Sequence, residues 1–512
     1  MAWGEEPMSL RWTRRAVTAS TAVVLAAATL TPGPHVAGAT PLSPGPIHVP
    51  VVLTAAIADS STTLGISDPN LYQLSPTEIA TTLDTLKALG VSDIRVAVPW
   101  AAVQPYNATT YDWSKLDAVI DAATARDMGV LGVINATPPW AGTLLVGHPD
   151  PTAYASFASA VATRYQGKIS AYEVWNEPNG ATFWSPPDAA SYTELLKAAY
   201  PAIKAADPDA TVIAGVLGAV STVPGITVNP VTFVTQMYAD GAHGFFDALS
   251  YHPYQYTTPF SLGTVPDSPL MQTEAIRALM AAAGDGALKL WATEYGLPTT
   301  WGISDAQQAA FIHDFVVAWQ QVQGAGPMFI HTTRDTATGA FGAENNFGIF
   351  TTNWTEKPAA ETVAALISQL TDGTVAPFDV TPYLPQNGFL QAVGIFVGQL
   401  IEQFLLVPRM IVQAVVGFVT SVVKAVTGQS SAAAAATVRT SAASATEQPT
   451  RASATGRSAR AVAKPTATQS VTAAAASSVP APTARKRATA AKSSDSSSPT
   501  RAGHGSTGRS GR

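Results

Sequence analysis

Residues 169–175 read ISAYEVW and residues 211–217 read TVIAGVL, with the helical stretch Ala189 to Ala206 between them. Both runs are short and rich in β-branched or aromatic residues, which marks them as strands, the second of the fully buried type. Strand, crossover helix and strand make a βαβ unit, and such units build a parallel sheet covered on both faces.

The same alternation extends in both directions. Upstream lie a weak strand at Thr62 to Ile66 and a helix from Ser75 to about Leu89. That helix opens on a capping box, Ser75-Pro76-Thr77-Glu78, with proline at the first helical position. Then come a strand at Asp93 to Val98, a helix at Leu116 to Arg126, a strand at Gly129 to Ile134, and a helix from Asp150-Pro151 to about Tyr165. Downstream, helices at Val231 to Ala239, Ser268 to Ala283, Asp305 to Gln323 and Glu356 to Leu370 alternate with strands at Asp247 to Tyr251, Leu288 to Thr293 and Pro327 to Thr332. Eight strands, each followed by a helix, within residues 61–371 predict an α/β fold of the closed (β/α)8 TIM-barrel type. No glycine-rich phosphate fingerprint follows the first strand, which disfavours an open dinucleotide-binding sheet.

The flanks differ in composition. Arg11, Arg14 and Arg15, the apolar run Ala16 to Leu30, and Ala37-Gly38-Ala39 before Thr40 read as an export signal over 1–39. The run is short for a retained membrane anchor. Residues 40–60 are a Pro- and Ala-rich linker. Residues 372–427 hold a connection and then an amphipathic helical segment, 389–426, with a wide apolar face and a bend at Pro408. Three readings of it stay open: extra core on the barrel, a helix lying on a membrane, or a span. Arg409 and Gln413 weigh against the span. Residues 428–512 are Ala-, Ser-, Thr- and Pro-rich and predict a disordered tail.

Charge follows that division. The whole chain of 512 residues has net charge −6, but residues 428–512 carry twelve Lys and Arg against Glu447 and Asp495. The remainder then holds 17 basic and 33 acidic residues, a balance of −16. Nothing here favours a nucleic-acid partner. The basic tail suits an anionic cell-wall polymer or lipid head groups, or no partner at all, so membrane or cell-wall association through 389–512 is an expectation with an open rival. The absence of cysteine excludes disulfides, a zinc–thiolate site and a cysteine nucleophile. No His, Asp and Glu spacing suggests a catalytic metal, no cofactor is implied, and no G-x-S-x-G elbow is present.

In a barrel of this type, chemistry collects where strands end. The second strand is followed by Pro99-Trp100 and the third by Asn135 and then Trp140. The fourth is followed by Asn176-Glu177-Pro178-Asn179, with Trp184 beyond, the sixth by His252-Pro253-Tyr254, and the seventh by Glu294. Two carboxylates, Glu177 and Glu294, thus stand at strand ends among aromatic residues. Glycosidic cleavage needs such a pair: one carboxyl protonates the leaving oxygen, and the other attacks the anomeric carbon or activates water. A sugar packs its C–H face on an aromatic plane, so Trp100, Trp140 and Trp184 are candidate stacking platforms and Asn135 a candidate polar contact.

The segment Tyr172-Glu173-Val174-Trp175-Asn176-Glu177-Pro178-Asn179 resembles the acid/base motif of the large barrel clan of retaining glycosidases. That clan includes the cellulase-like families and the β-xylosidase and exopolysaccharide-hydrolase group. Phe183-Trp184-Ser185-Pro186 and Tyr192 to Pro208 resemble the latter group most. The resemblance covers about residues 61–370 and implies an exported retaining glycoside hydrolase acting on a polysaccharide or glycoconjugate. It implies Glu177 as acid/base, Glu294 as nucleophile, Asn176 as a contact to the sugar 2-hydroxyl, His252 and Tyr254 as residues orienting the nucleophile, and Arg95 as its electrostatic support. An ion pair between Arg95 and Glu294 is equally compatible with a purely structural Arg95. The eighth strand departs from the clan: Phe329-Ile330-His331 stands where many members place a tryptophan under the sugar. Two rival functions remain, a transglycosidase using the same residues and a non-catalytic carbohydrate-binding protein. Sugar, linkage, endo or exo action and oligomeric state are not legible.

Overall fold

The structure, a computed structural model, describes residues 55–263 and 265–384. Eight strands follow one another around a closed parallel barrel: β1 (Leu64–Ser67), β2 (Asp93–Pro99), β3 (Gly129–Asn135), β4 (Ala171–Val174), β5 (Thr211–Gly218), β6 (Ala248–His252), β7 (Lys289–Tyr295) and β8 (Ala325–His331). The ring closes where β1 pairs with β8 through Leu64↔Met328 to Ser67↔His331. The barrel fold expected from the alternation is therefore the observed one.

Local sequence explains where the helices begin. They are α1 (Pro76–Ala88), α2 (Trp100–Val103), α3 (Ser114–Thr124), α4 (Pro151–Arg164), α5 (Ala189–Ala206), α6 (Pro230–Ala239), α7 (Pro269–Ala282), α8 (Asp305–Trp319) and α9 (Pro358–Asp372). Ser75 and Ser304 close capping boxes with Glu78 and Gln307, and Asp150, Asp188, Asn229 and Ser268 each accept a backbone N–H of the first turn. Each cap satisfies a donor that the first turn otherwise leaves orphaned, worth about 1 kcal/mol.

Every strand ends within two residues of its expected end, and two of the differences matter for the site. β7 runs two residues past Thr293, so Glu294 lies within the strand, where its pairing with β8 shifts register between Ala292 and Tyr295. β4 stops at Val174, because Trp175 turns into the left-handed region at φ 75°. α8 ends at Trp319 rather than Gln323.

Strand alternation divides the core. Ile94, Val96, Val98, Tyr172 and Val174 face the helices in one large cluster. Leu131, Ala171, Ile213, Ala248, Trp291 and Phe329 form a separate cluster inside the barrel, toward the N-terminal ends of the strands. Ile57 joins that inner cluster, and the Trp291 indole donates to Asp59 Oδ1 at 2.9 Å, so residues 55–60 cap the barrel floor. Gly65 makes room for Phe329: a Cβ there would lie 2.6 Å from its ring. After α9, Phe378 stacks on His313 at 4.0 Å and Val380 packs with Leu297, Ile303 and Phe311. The expected signal over 1–39, most of the 40–60 linker, the apolar stretch 389–426 and the basic tail 428–512 lie outside the described residues.

Candidate active site

The period-two pattern that sends Ile94 and Val96 outward sends Arg95 inward, and the pattern that sends Tyr172 and Val174 outward sends Glu173 inward. The two meet inside the barrel: Arg95 Nε donates to Glu173 Oε2 at 2.7 Å, and both side chains are buried. A buried cation needs such a partner, because leaving water without one is costly. The pair holds the guanidinium by its near edge and turns its far edge toward the strand ends. There Nη1 donates to Ser67 Oγ at 3.1 Å and to Glu294 Oε1, and Nη2 donates to Asn176 Oδ1 at 2.8 Å. Glu173 stood in the quoted motif, but nothing in the sequence reading gave it a task. The inward register of β4 was the signal that could have found it.

Glu294 sits at the centre of these donors. Its Oε2 accepts the Tyr254 hydroxyl at 2.9 Å. Burial by itself raises its carboxyl, but Arg95, His252, His331 and the Tyr254 hydrogen bond outweigh burial and hold it well below the ordinary carboxylate range. Burial, with the Glu294 charge beside it, pushes the Tyr254 hydroxyl well above its ordinary value, so it remains a donor. His331, at the end of β8, stacks edge-on to Phe347, and its Nε2 lies 3.7 Å from Glu344 Oε2. Burial lowers its pKa, but the Glu294, Glu344 and Asp68 carboxylates raise it further than burial lowers it.

Glu177 reaches the same space by a different device. Trp175 and Glu177 both take positive φ, 75° and 42°, which throws the chain off β4 in a tight turn. The Glu177 amide donates to Val216 O at 2.8 Å. Asn179 pins the turn to β5: its side-chain amide donates to Gly218 O and Val228 O and accepts from Gly218 N, each at 2.9 Å. A Cβ at Gly218 would lie 3.2 Å from the Glu177 carboxyl carbon, so glycine here leaves the carboxyl uncrowded.

His252 links the two carboxylates. Its Nδ1 is 2.8 Å from Glu177 Oε1 and 3.7 Å from Glu294 Oε2, so those oxygens are no farther apart than the 6.5 Å to which the two distances add. Its Nε2 contacts Thr293 Oγ1 at 3.1 Å. His252 therefore leans on Glu177, and Tyr254 is the member of the expected pair that bonds Glu294.

These side chains open into a cleft of about 840 Å³ that Asn135, Asn176, Glu177, Tyr254 and Glu294 line. Three expected contacts are corrected. Trp100 and Trp184 are fully buried. Trp100 stacks on Phe157 and bonds Gln104, and Trp184 packs edge-on to Trp175 and flat on His148. Trp140 is half-buried, turns its edge to Trp100 and donates to Gln104 O at 2.7 Å. None of the three lines the cleft. They lock the βα loops together, because an indole can fill a loop core only if its N–H finds a partner, and each does. Among the described residues no group of three His, Asp or Glu is placed to hold a metal ion.

The comparisons with known proteins agree with this architecture. Residues 57–324 match the family described as Cellulase (glycosyl hydrolase family 5). Over 135 residues the chain is 34% identical to "Endoglucanase CelA" of Streptomyces lividans, covering 25% of this chain and 27% of that one, so it spans only about a quarter of that relative's length. In fold it is similar to a family 39 glycoside hydrolase from Bacteroides cellulosilyticus WH2, with TM-score 0.52 and 21% identity over 62% of this chain and 66% of that chain. It is also similar to GH5_18 from Streptomyces cattleya, solved in complex with GlcNAc, with TM-score 0.50 and 17% identity over 62% and 83% of the two chains. The match over residues 57–324 covers more than half of the sequence, and on it the chain belongs to glycosyl hydrolase family 5.

Proposed function

We propose that this protein is an exported retaining glycoside hydrolase that cleaves a polysaccharide or glycoconjugate by double displacement. The observation that carries the reading is the single imidazole nitrogen in reach of both carboxylates, which keeps their nearest oxygens within 6.5 Å. Retaining enzymes hold the two groups about 5–5.5 Å apart, whereas inverting ones leave about 6.5–9.5 Å for a water. Export rests on the sequence before Thr40, and the glycan substrate is supported by the family and by the endoglucanase relative.

The division of labour follows from the surroundings. Arg95, Tyr254 and the nearby histidines keep Glu294 ionised, as a nucleophile must be. Glu294 attacks the anomeric carbon while Glu177 gives its proton to the departing glycosidic oxygen. A glycosyl ester on Glu294 results. Glu177, now a carboxylate, takes a proton from the incoming water, whose oxygen attacks the anomeric carbon and releases Glu294. Asn176, fixed by Arg95, stands beside the nucleophile where it can meet the sugar 2-hydroxyl. Proton NMR of the first product formed from a p-nitrophenyl β-glycoside tests the reading. Retention gives the β-anomer first, and an initial α-anomer would overturn the nucleophile assignment.

A further inference from the structure

The cleft has two unlike sides. Around Glu294 it presents hydrogen-bonding groups, among them Arg95, Asn176, His331 and Glu344. On the loops that follow Glu177 and β5 it presents Phe183, Val220, Val223 and Ile226, with Thr182, Ser221 and Thr227 among them. Val223 and Ile226 are 45% and 51% exposed. They are also held there. Val223 N donates to Thr227 O at 3.0 Å, Thr227 N and Ile226 N both donate to Val223 O at 2.9 Å, and Gly225 turns the chain at φ 74°. Ala181 N donates to Ile226 O at 2.8 Å, which ties this hairpin to the loop that follows Glu177. A rigid apolar lip facing water costs free energy unless an apolar group covers it.

The position of the lip assigns its occupant. The acid donates its proton to the leaving oxygen, so the leaving group lies on the acid's side of the scissile bond. We infer that the leaving-group subsite takes an alkyl chain, and that the substrate is a glycoside of a lipid-like aglycone rather than a link between two sugars. The inference rests on the retaining-glycosidase reading above and chooses the glycoconjugate within it. The lip carries no charged side chain; beside the hydroxyls of Thr182, Ser221 and Thr227, its exposed Val223 and Ile226 surface suits methylenes.

The full-length protein is first assayed on p-nitrophenyl β-D-glucoside, β-D-xyloside, β-D-mannoside and β-D-galactoside. Methyl, hexyl and octyl glycosides of the best sugar are then compared with its β-1,4-linked disaccharide, all below micelle-forming concentration. The inference predicts that kcat/KM rises at least about tenfold from methyl to hexyl, because each buried methylene is worth up to about fourfold, and that the disaccharide falls below hexyl. Val223→Ser and Ile226→Ser should each shrink the hexyl-to-methyl ratio. Leu262→Ser, at an exposed apolar residue away from the cleft, should keep it. Equal rates on methyl and hexyl, or a disaccharide preferred to both, would overturn the inference and leave the glycosidase reading standing. No hydrolysis of any p-nitrophenyl glycoside or alkyl glycoside would overturn both.

Discussion

Arg95→Met removes a guanidinium that four side chains share. One guanidinium serves Glu173 at 2.7 Å, Asn176 at 2.8 Å, Ser67 at 3.1 Å and Glu294, and it is 3% exposed. Removing it leaves two acids inside one barrel with their shared cation gone. Breaking a buried pair in this way costs about 3–5 kcal/mol, because the remaining charge is neither hydrated nor matched. The pH dependence is more diagnostic than the size. In the native protein Glu294 sits below its unfolded value of about 4.3, so its contribution is full above that value and is lost progressively as pH falls from there through its depressed folded value. In the variant the opposing Arg95 charge is gone, so burial, the largest influence on Glu294, moves its carboxyl upward. Between pH 7 and 5, where native Glu294 contributes no slope, the variant should then gain stability as acid is added. The acid limb of kcat/KM should move up by about 1–3 pH units. Guanidinium unfolding at pH 5, 6 and 7, with pH–rate profiles on a p-nitrophenyl glycoside, reads both. A folded variant with the native slope and an unmoved acid limb would refute the claim that Arg95 sets the ionisation of Glu294.

Other expectations follow from the geometry. Gly218→Ala puts a methyl 3.2 Å from the Glu177 carboxyl carbon and displaces the acid, so kcat should fall by about tenfold to a hundredfold with the melting temperature little changed. Trp184→Ala empties a fully buried site and should cost about 3–5 kcal/mol of stability. Because Trp184 does not line the cleft, the KM of the folded fraction should stay native, and a selective rise in KM would restore it as a sugar platform. Deleting residues 389–512 should leave kcat and KM on a small soluble glycoside nearly unchanged while reducing association with anionic liposomes. Loss of hydrolysis in a folded truncation would show that this segment completes the site.

Much of the barrel was legible because its signals are local. Ser75, Asp150, Ser268 and Ser304 mark helix starts by their own side chains, and Ile94, Val96 and Val98 declare a strand by alternation. Glu177 and Glu294 could be placed at the cleft because two carboxylates end strands of one barrel among aromatic residues, one of them in a segment that resembles a known acid/base motif. What escaped depends on direction or on distant partners. Glu173 acquires meaning only opposite Arg95, 78 residues away. The tryptophans were visible as aromatic residues near strand ends, but sequence does not show which way a loop turns. The one-turn α2 swings Trp100 into the loop core, while the turn after β4 buries Trp184. The positive φ of Trp175 and the register shift in β7 are tertiary outcomes at non-glycine residues, for which composition carries no mark.

The central claim is that Glu294 attacks the sugar and Glu177 supplies the proton. The most direct measurement is intact-protein and peptide mass spectrometry after incubation with a 2-deoxy-2-fluoro-β-glycosyl fluoride of the sugar the enzyme prefers. The account predicts one added glycosyl group, on the peptide containing Glu294, with no labelling in Glu294→Gln and slower turnover of the adduct in Glu177→Ala. A glycosyl group found on another residue, or turnover of the reagent with inversion and no adduct, would contradict it.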